Sequence, residues 1–485
     1  MKTNIPAARN TEQEISADIC VIGGGSGGLS VAAGAVQMGA SVVLFERGLM
    51  GGDCLNYGCV PSKAMLAAGH AAATARTAGR FGISLPEPEV DFGKVHDHVR
   101  DVIAGIEPHD SVERFEELGV RVIQAQASFT DARTVSGGGF RVQARRFVIA
   151  TGSSAMIPPI PGLDNTPYLT NESIFDLIER PDHLLIVGGG PIGCELAEAH
   201  RNLGADVTLI EAARLLGNED EEAAEVLRAH LTDIGVTLLE GAMVKETAGS
   251  GGAVRLSVDQ DGTELQIEGS HLLIAAGRSP NINGLGLEAA GIKHGRAGIE
   301  VDAGLKTSNR KVYAIGDIAG GLQFTHVAGY HASIVIRSAL FRLPAKAGHG
   351  AVPRVTYTDP ELAQVGLLER EARAQHGEKM RVLKWPYQEN DRARAERVTN
   401  GFIKVMVLKN GKVLGATIVG KRAGDLIQTW AMVIAQKIKI GAVASSIVAY
   451  PTLGEIGKRA AGSFFTETLF SPRMRKIVRF LAAFG

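Results

Sequence analysis

Cys54 and Cys59 lie in GGDCLNYGCVPSK (Gly51–Lys63) with four residues between them, and they are half of the chain's four cysteines. Such a pair can be a structural crosslink, half of a metal site, or a redox couple that opens and closes during turnover. Zinc sites usually combine two ligand pairs, and no second cysteine pair or Cys/His cluster lies at such spacing here. No metal is therefore expected. Cys20 falls in an apolar strand pattern and Cys194 in a helical one, so both read as inert core residues. The N-terminal stretch MKTNIPAARNTEQEIS is polar, without the apolar core of a signal peptide. That places the chain in the cytoplasm, where a close cysteine pair is more often catalytic or metal-binding than structural. A redox disulfide is the favoured reading.

Elements able to feed electrons to such a pair are legible on either side of it. Ala17–Arg47 and His183–Arg214 each read as apolar strand, Gly-x-Gly-x-x-Gly, amphipathic helix, turn, apolar strand and acid. Gly23, Gly25, Gly28 and Glu46 recur as Gly188, Gly190, Gly193 and Glu211, each displaced by 165 positions. One such glycine pattern is a weak signal; two in the same strand–helix–strand register are a strong one. The glycines give a tight turn, a close approach for a pyrophosphate and close helix–strand packing, while the acid accepts hydrogen bonds from a ribose. Two dinucleotides are expected. The first site is near the cysteines, and a nicotinamide needs a flavin as intermediary to sulfur, so FAD is assigned to the first site and the nicotinamide dinucleotide to the second. Glu211 favours NADH, because a carboxylate there repels a 2′-phosphate. Arg214 nearby softens that preference and leaves NADPH as the alternative.

The whole chain must be divided to hold these units. Its 485 residues suggest about three domains. Arg145–Ser153 and Ser270–Asn281 are matched strands ending in small-residue turns, with Thr151, Gly152, Gly277 and Arg278 as candidate cofactor contacts. Thr307–Gly321 is a further strand ending at Gly316–Asp317, where an aspartate can reach a cofactor lying across the sheet. From about Gly348 the pattern changes to mixed strands and helices, with an Asn410–Gly411 hairpin signal. The net charge of −1 gives no support to a nucleic-acid partner. No apolar run approaches the ~20 residues needed to span a bilayer.

Cys-x4-Cys with Val-Pro-Ser-Lys, two nucleotide fingerprints and Gly-Asp, in this order, resemble the flavoprotein disulfide reductases, which include glutathione reductase, dihydrolipoamide dehydrogenase and mercuric reductase. The resemblance covers nearly all of residues 17–470. It implies an α/β fold with two Rossmann-like dinucleotide-binding domains and a C-terminal α+β dimerisation domain. The FAD domain would occupy residues 1–158 and 281–347, the NAD(P)H domain 159–280, and the interface domain of a homodimer 348–485. The resemblance further implies that Cys54 is the interchange thiol that attacks the acceptor and Cys59 the thiol against the flavin. A helix beginning near Pro61 is expected to favour the thiolate. Lys63 matches the lysine beside the flavin's reactive nitrogen, Glu195 the glutamate paired with it, and Asp317 the ligand of the ribityl chain. Thr325 and His326 fall at the flavin's pyrimidine end; His326 reads equally well as a helix-start residue satisfied by backbone.

The sequence departs from the disulfide-reducing members at YPTLGE (Tyr450–Glu455), where they carry histidine before the Pro-Thr and a glutamate that orients it. A phenol has a pKa near ~10. Losing a positioned acid–base group typically costs ~10²–10⁴-fold. Mercuric reductase also has tyrosine at the equivalent position, but it normally adds a C-terminal cysteine pair, and this chain has no cysteine after Cys194. The expected activity is transfer of electrons from NAD(P)H through FAD and Cys54–Cys59 to a small disulfide or thiol-reactive acceptor. The alternatives are a metal-ion reductase and a diaphorase acting on quinones; a non-enzymatic flavin-bearing sensor ranks last. Finally, Ser471–Gly485 places Met474, Ile477, Val478, Leu481 and Phe484 at helical spacing among Arg473, Arg475, Lys476 and Arg479. Packing on its own dimer is the favoured reading for this amphipathic basic helix, and an anionic membrane surface the sharper one.

Overall fold

The computed structural model describes residues 12–250 and 252–484. The polar N-terminal stretch lies, through residue 11, outside the described residues. Among the described residues no helix is long and apolar enough to cross a membrane.

Continuous apolar runs such as Ile19–Ile22 and Val42–Phe45 are suited to strands buried on both faces, and they build a parallel sheet. Its parallel strands run in the order Val120–Gln124, Val42–Glu46, Gln13–Ile22, Phe140–Ile149. Val312–Ala314 returns much later in the chain to pair with the end of Phe140–Ile149. Two short antiparallel strands, Ser128–Asp131 and Thr134–Gly137, extend the other end of that strand. The helices Ser26–Gln37 and Thr325–Ala339 pack on one another against one face.

The second nucleotide unit repeats the scheme. Four parallel strands run in the order Thr237–Glu240, Asp206–Glu211, His183–Val187, His271–Ile274, which is the third–second–first–fourth order of a dinucleotide fold. An antiparallel sheet of Ala242–Ser250, Ala253–Gln260 and Thr263–Gly269 makes the last crossover. The chain enters and leaves this unit side by side. Ser153–Ala155 pairs antiparallel with Arg278–Pro280, and Asn281 Nδ2 donates to the Thr151 carbonyl at 2.9 Å.

The C-terminal unit is a five-stranded antiparallel sheet with its own core, covered by Ala423–Ala435 and Glu455–Ser463 around the buried Trp430. Strands Phe402–Leu408 and Val413–Gly420 form the hairpin that Asn410–Gly411 predicts, with Gly411 at φ 83°. The last helix, Pro472–Leu481, is capped by the Ser471 side chain and buries none of its residues.

Candidate active site

A cleft of about 1910 Å³ runs between the two parallel sheets and past the cysteine pair. It exceeds the ~300–1,000 Å³ of an ordinary small-molecule pocket, so it has room for more than one extended ligand. Both glycine fingerprints open onto it through Gly23, Gly25, Gly188 and Gly190. Gly28 and Gly193 do not line it; they pack. A Cβ on either would fall 1.8 and 1.9 Å from the carbonyl oxygens of Gly23 and Gly188. The middle glycines differ: around Gly190 a Cβ would meet nothing within 4 Å, and at Gly25 only Gly52 Cα at 3.9 Å. Gly25 and Gly190 cap the helices Ser26–Gln37 and Pro191–Asn202 without any side-chain cap, which leaves backbone N–H groups for an anion. Glu46 accepts from Gly24 N at 2.5 Å and Gly48 N at 2.6 Å; Glu211 accepts from Gly189 N at 2.7 Å and Ala213 N at 2.8 Å. The two cradles fit two dinucleotides. Arg214 is paired with Glu221.

The helix carrying the second cysteine starts at Cys59, two residues ahead of Pro61, so that thiol sits on the helix N-terminus itself. Cys59 Sγ lies 3.4 Å from Thr325 Oγ1 and faces the open cleft. Both thiols are free, and their interaction with one another divides their chemistry. It lowers Cys59 to about 6, helped by Thr325 and the Lys63 charge and opposed by burial. The same contact raises Cys54, and burial raises it further. The reduced pair therefore holds its negative charge on Cys59. Cys20 and Cys194 are buried, and burial pushes both thiols up, as inert core residues require.

Lys63 Nζ is 2.6 Å from Glu195 Oε2, whose second oxygen accepts from Tyr357 N at 2.9 Å. The Tyr357 ring lies under Lys63 Nζ, 4.5 Å from ring centre to nitrogen. Asp317 Oδ2 accepts from Ser153 Oγ at 2.6 Å, and burial raises its pKa against that bond and the Arg278 charge. Arg278 turns toward this side of the cleft: its Nε and Nη2 donate to Ser153 Oγ and O at 2.7 Å, and Nη2 is 3.1 Å from Asp53 Oδ1. Thr151, Gly152, Gly277 and Gly316 line the cleft beside it. His326 lines it too, stacked on Phe324, with its Nε2 at 2.8 Å from the Pro353 carbonyl. That contact is the backbone satisfaction weighed above.

Tyr450 and Glu455 lie outside the cleft. Tyr450 is 68% exposed and donates to Asp391 Oδ2 at 3.0 Å, not to Glu455; that carboxylate raises the phenol's pKa. Sequence reasoning missed Asp391, Tyr357 and Asp53. Only Asp53 carried a signal, its place next to Cys54.

Residues 17–332 match the pyridine nucleotide-disulphide oxidoreductase family, and residues 352–461 match that family's dimerisation domain. The chain belongs to this family. It is 35% identical to the mercuric reductase of Bacillus cereus over 94% of this chain and 72% of that one. It is 34% identical to the dihydrolipoyl dehydrogenase of Geobacillus stearothermophilus over 92% and 96%. Among solved structures, LpdA from Mycobacterium tuberculosis superposes with a TM-score of 0.84 at 28% identity, over 92% of this chain and 99% of that one. The chain is thus a flavoprotein oxidoreductase acting on sulfur groups, of an FAD-dependent family that uses NAD(P)H.

Proposed function

We propose that this enzyme passes electron pairs from NADH, through FAD, to the Cys54–Cys59 disulfide and on to a small disulfide or other thiol-reactive acceptor. The observation that carries this reading is the placement of Cys54 and Cys59 in the one cleft onto which both glycine fingerprints open, with Cys59 on a helix N-terminus 3.4 Å from Thr325 Oγ1. When bound, the nicotinamide supplies a hydride and the flavin relays its electron pair to sulfur. The Cys54–Cys59 bond takes up that pair and breaks; Cys59 keeps the negative charge and Cys54 a proton. Cys54 attacks one sulfur of the acceptor, and the proton it gives up goes to the sulfur that leaves, which departs as the first thiol. Cys59 then attacks Cys54, restoring the bond and releasing the second thiol. In sum, one disulfide, one NADH and one proton give two thiols and NAD⁺. Lys63 and Glu195 fix one another beside this exchange, while Asp317, Ser153 and Arg278 bond one another and Arg278 reaches Asp53, the residue before Cys54.

Glu211 anchored by two backbone N–H groups, and Arg214 engaged by Glu221, support NADH over NADPH. The exposure of Tyr450, on the unit that matches a dimerisation domain, supports its action in the active site of a second copy within a homodimer. The side-by-side strands at Ser153–Ala155 and Arg278–Pro280 support division into 1–158 with 281–347, 159–280, and 348–485. A pair that must be reopened at each turnover suits the reducing cytoplasm.

A second reading is reduction of a thiol-complexed metal ion held at Cys54 and Cys59, favoured by Tyr450 and by the similarity to mercuric reductases. The deciding experiment is stopped-flow reoxidation of the anaerobically NADH-reduced holoenzyme, mixed in turn with small disulfides, thiol-bound Hg(II) and a quinone. Fast reoxidation by a small disulfide is expected. Reoxidation by Hg(II) alone selects the metal reading, and by the quinone alone a diaphorase.

A further inference from the structure

The helix Pro472–Leu481 projects apolar side chains that stay exposed among the described residues. Ile477, Val478 and Leu481 are 41%, 58% and 58% exposed. With Met474 they stand at positions i, i+3, i+4 and i+7, which form one stripe of a helix. Phe480 and Phe484, whose rings meet edge to face at 5.0 Å, flank that stripe. Arg475, Lys476 and Arg479 fall on the opposite side, and Arg473 sits in the first turn. Between Ser471 and Gly485 there is no acidic residue. The segment is tied to the body just before the helix, where Arg381 bonds the Phe464 carbonyl at 3.2 Å and the Glu467 carboxylate at 3.1 Å. Leu469 and Phe470, between that tie and the helix, are also exposed.

We infer that this helix docks the enzyme on an anionic lipid surface, lying in the plane of the bilayer with its apolar stripe below the headgroups and its cations among them. The separation of an apolar from a purely cationic side, with aromatic rings at the border, is the chemistry an anionic interface recognises. A second copy is the competing occupant. The dimerisation-domain match ends at residue 461, before this helix begins. A second copy of the segment carries the same four cations and no carboxylate between Ser471 and Gly485, so it offers this helix no charge complement, whereas an anionic surface does.

The test is vesicle flotation of the full-length holoenzyme with phosphatidylcholine alone and with phosphatidylcholine plus phosphatidylglycerol. The protein is expected to float with the anionic vesicles roughly tenfold more than with the neutral ones, and to release as salt is raised. Val478→Asp with Leu481→Asp, and separately Arg475→Glu with Arg479→Glu, should each reduce flotation to the neutral level. NADH–ferricyanide activity and dimer mass should not change in either. Equal flotation of a chain truncated before Ser471, or none by the full chain, overturns the inference. So does loss of the dimer in the aspartate variant, which would assign the stripe to the second copy.

Discussion

Lys63 and Glu195, 132 positions apart in sequence, form a 2.6 Å ion pair that joins the cysteine-bearing helix to the helix of the second nucleotide fingerprint. The carboxylate is almost wholly buried and the lysine about a third exposed. Removing either partner leaves the other misplaced at the wall of the cleft, and an unpaired buried carboxylate is strongly unfavourable. Lys63→Met and Glu195→Gln should each slow NADH-driven acceptor reduction on the order of 10²-fold. Combining them should cost little more, because the two act as one unit. Rapid-reaction kinetics of the singles and the double variant check this; additive losses would show that the residues act separately.

The thiols give a pH signature. Cys59 has a pKa near 6, so the reduced pair carries a thiolate above that pH and loses it below. Cys54 is raised and adds no second ionisation at neutral pH. Thiolate absorbance of the reduced protein should therefore rise with a midpoint near pH 6. Lys63→Met should move that midpoint upward, since the lysine's charge favours the thiolate. An unchanged midpoint in the variant would remove Lys63 from the account.

Tyr450 bonds to Asp391, and that carboxylate holds the phenol protonated. If proton delivery to the leaving thiol limits turnover, Tyr450→His should raise turnover of a small disulfide by up to ~10²-fold near neutral pH. Asp391→Asn should lower the tyrosine's pKa toward the ordinary phenol value without moving the Cys59 midpoint. Steady-state pH profiles of the two variants separate these effects.

The nucleotide preference has its own test. Glu211→Ala should weaken NADH relative to NADPH by roughly ten- to a hundredfold in kcat/KM, the usual worth of hydrogen bonds to a charged acceptor. Arg214 should become the stronger determinant once Glu221→Gln releases it.

What was legible in the sequence is what the backbone constrains locally. Gly28 and Gly193 must lack a Cβ because a carbonyl oxygen lies where it would sit, so both fingerprints kept their register. The cysteine pair was legible because Cys59 opens the helix expected near Pro61, two residues ahead of it, with Cys54 in the short helix Gly52–Asn56 just before. Contacts made by folding were not legible. Nothing periodic ties Asp391 to Tyr450, 59 positions away, or Tyr357 to Glu195, 162 positions away. Arg278 is another case: the sequence placed it at a cofactor-facing turn, and folding brings it to Ser153, Asp53 and Asp317.

The proposed function requires that electrons reach the acceptor through the Cys54–Cys59 bond. It is tested most directly by titrating the anaerobic holoenzyme with NADH while counting newly alkylated thiols and locating them by mass. One disulfide's worth of thiol is expected to appear, on Cys54 and Cys59 together, as two electrons are taken up. Cys54→Ser is also expected to retain ferricyanide reduction but to lose acceptor reduction on the order of 10³-fold or more. Reduction of the flavin with no new thiol, or undiminished acceptor turnover in Cys54→Ser, would contradict the proposed function.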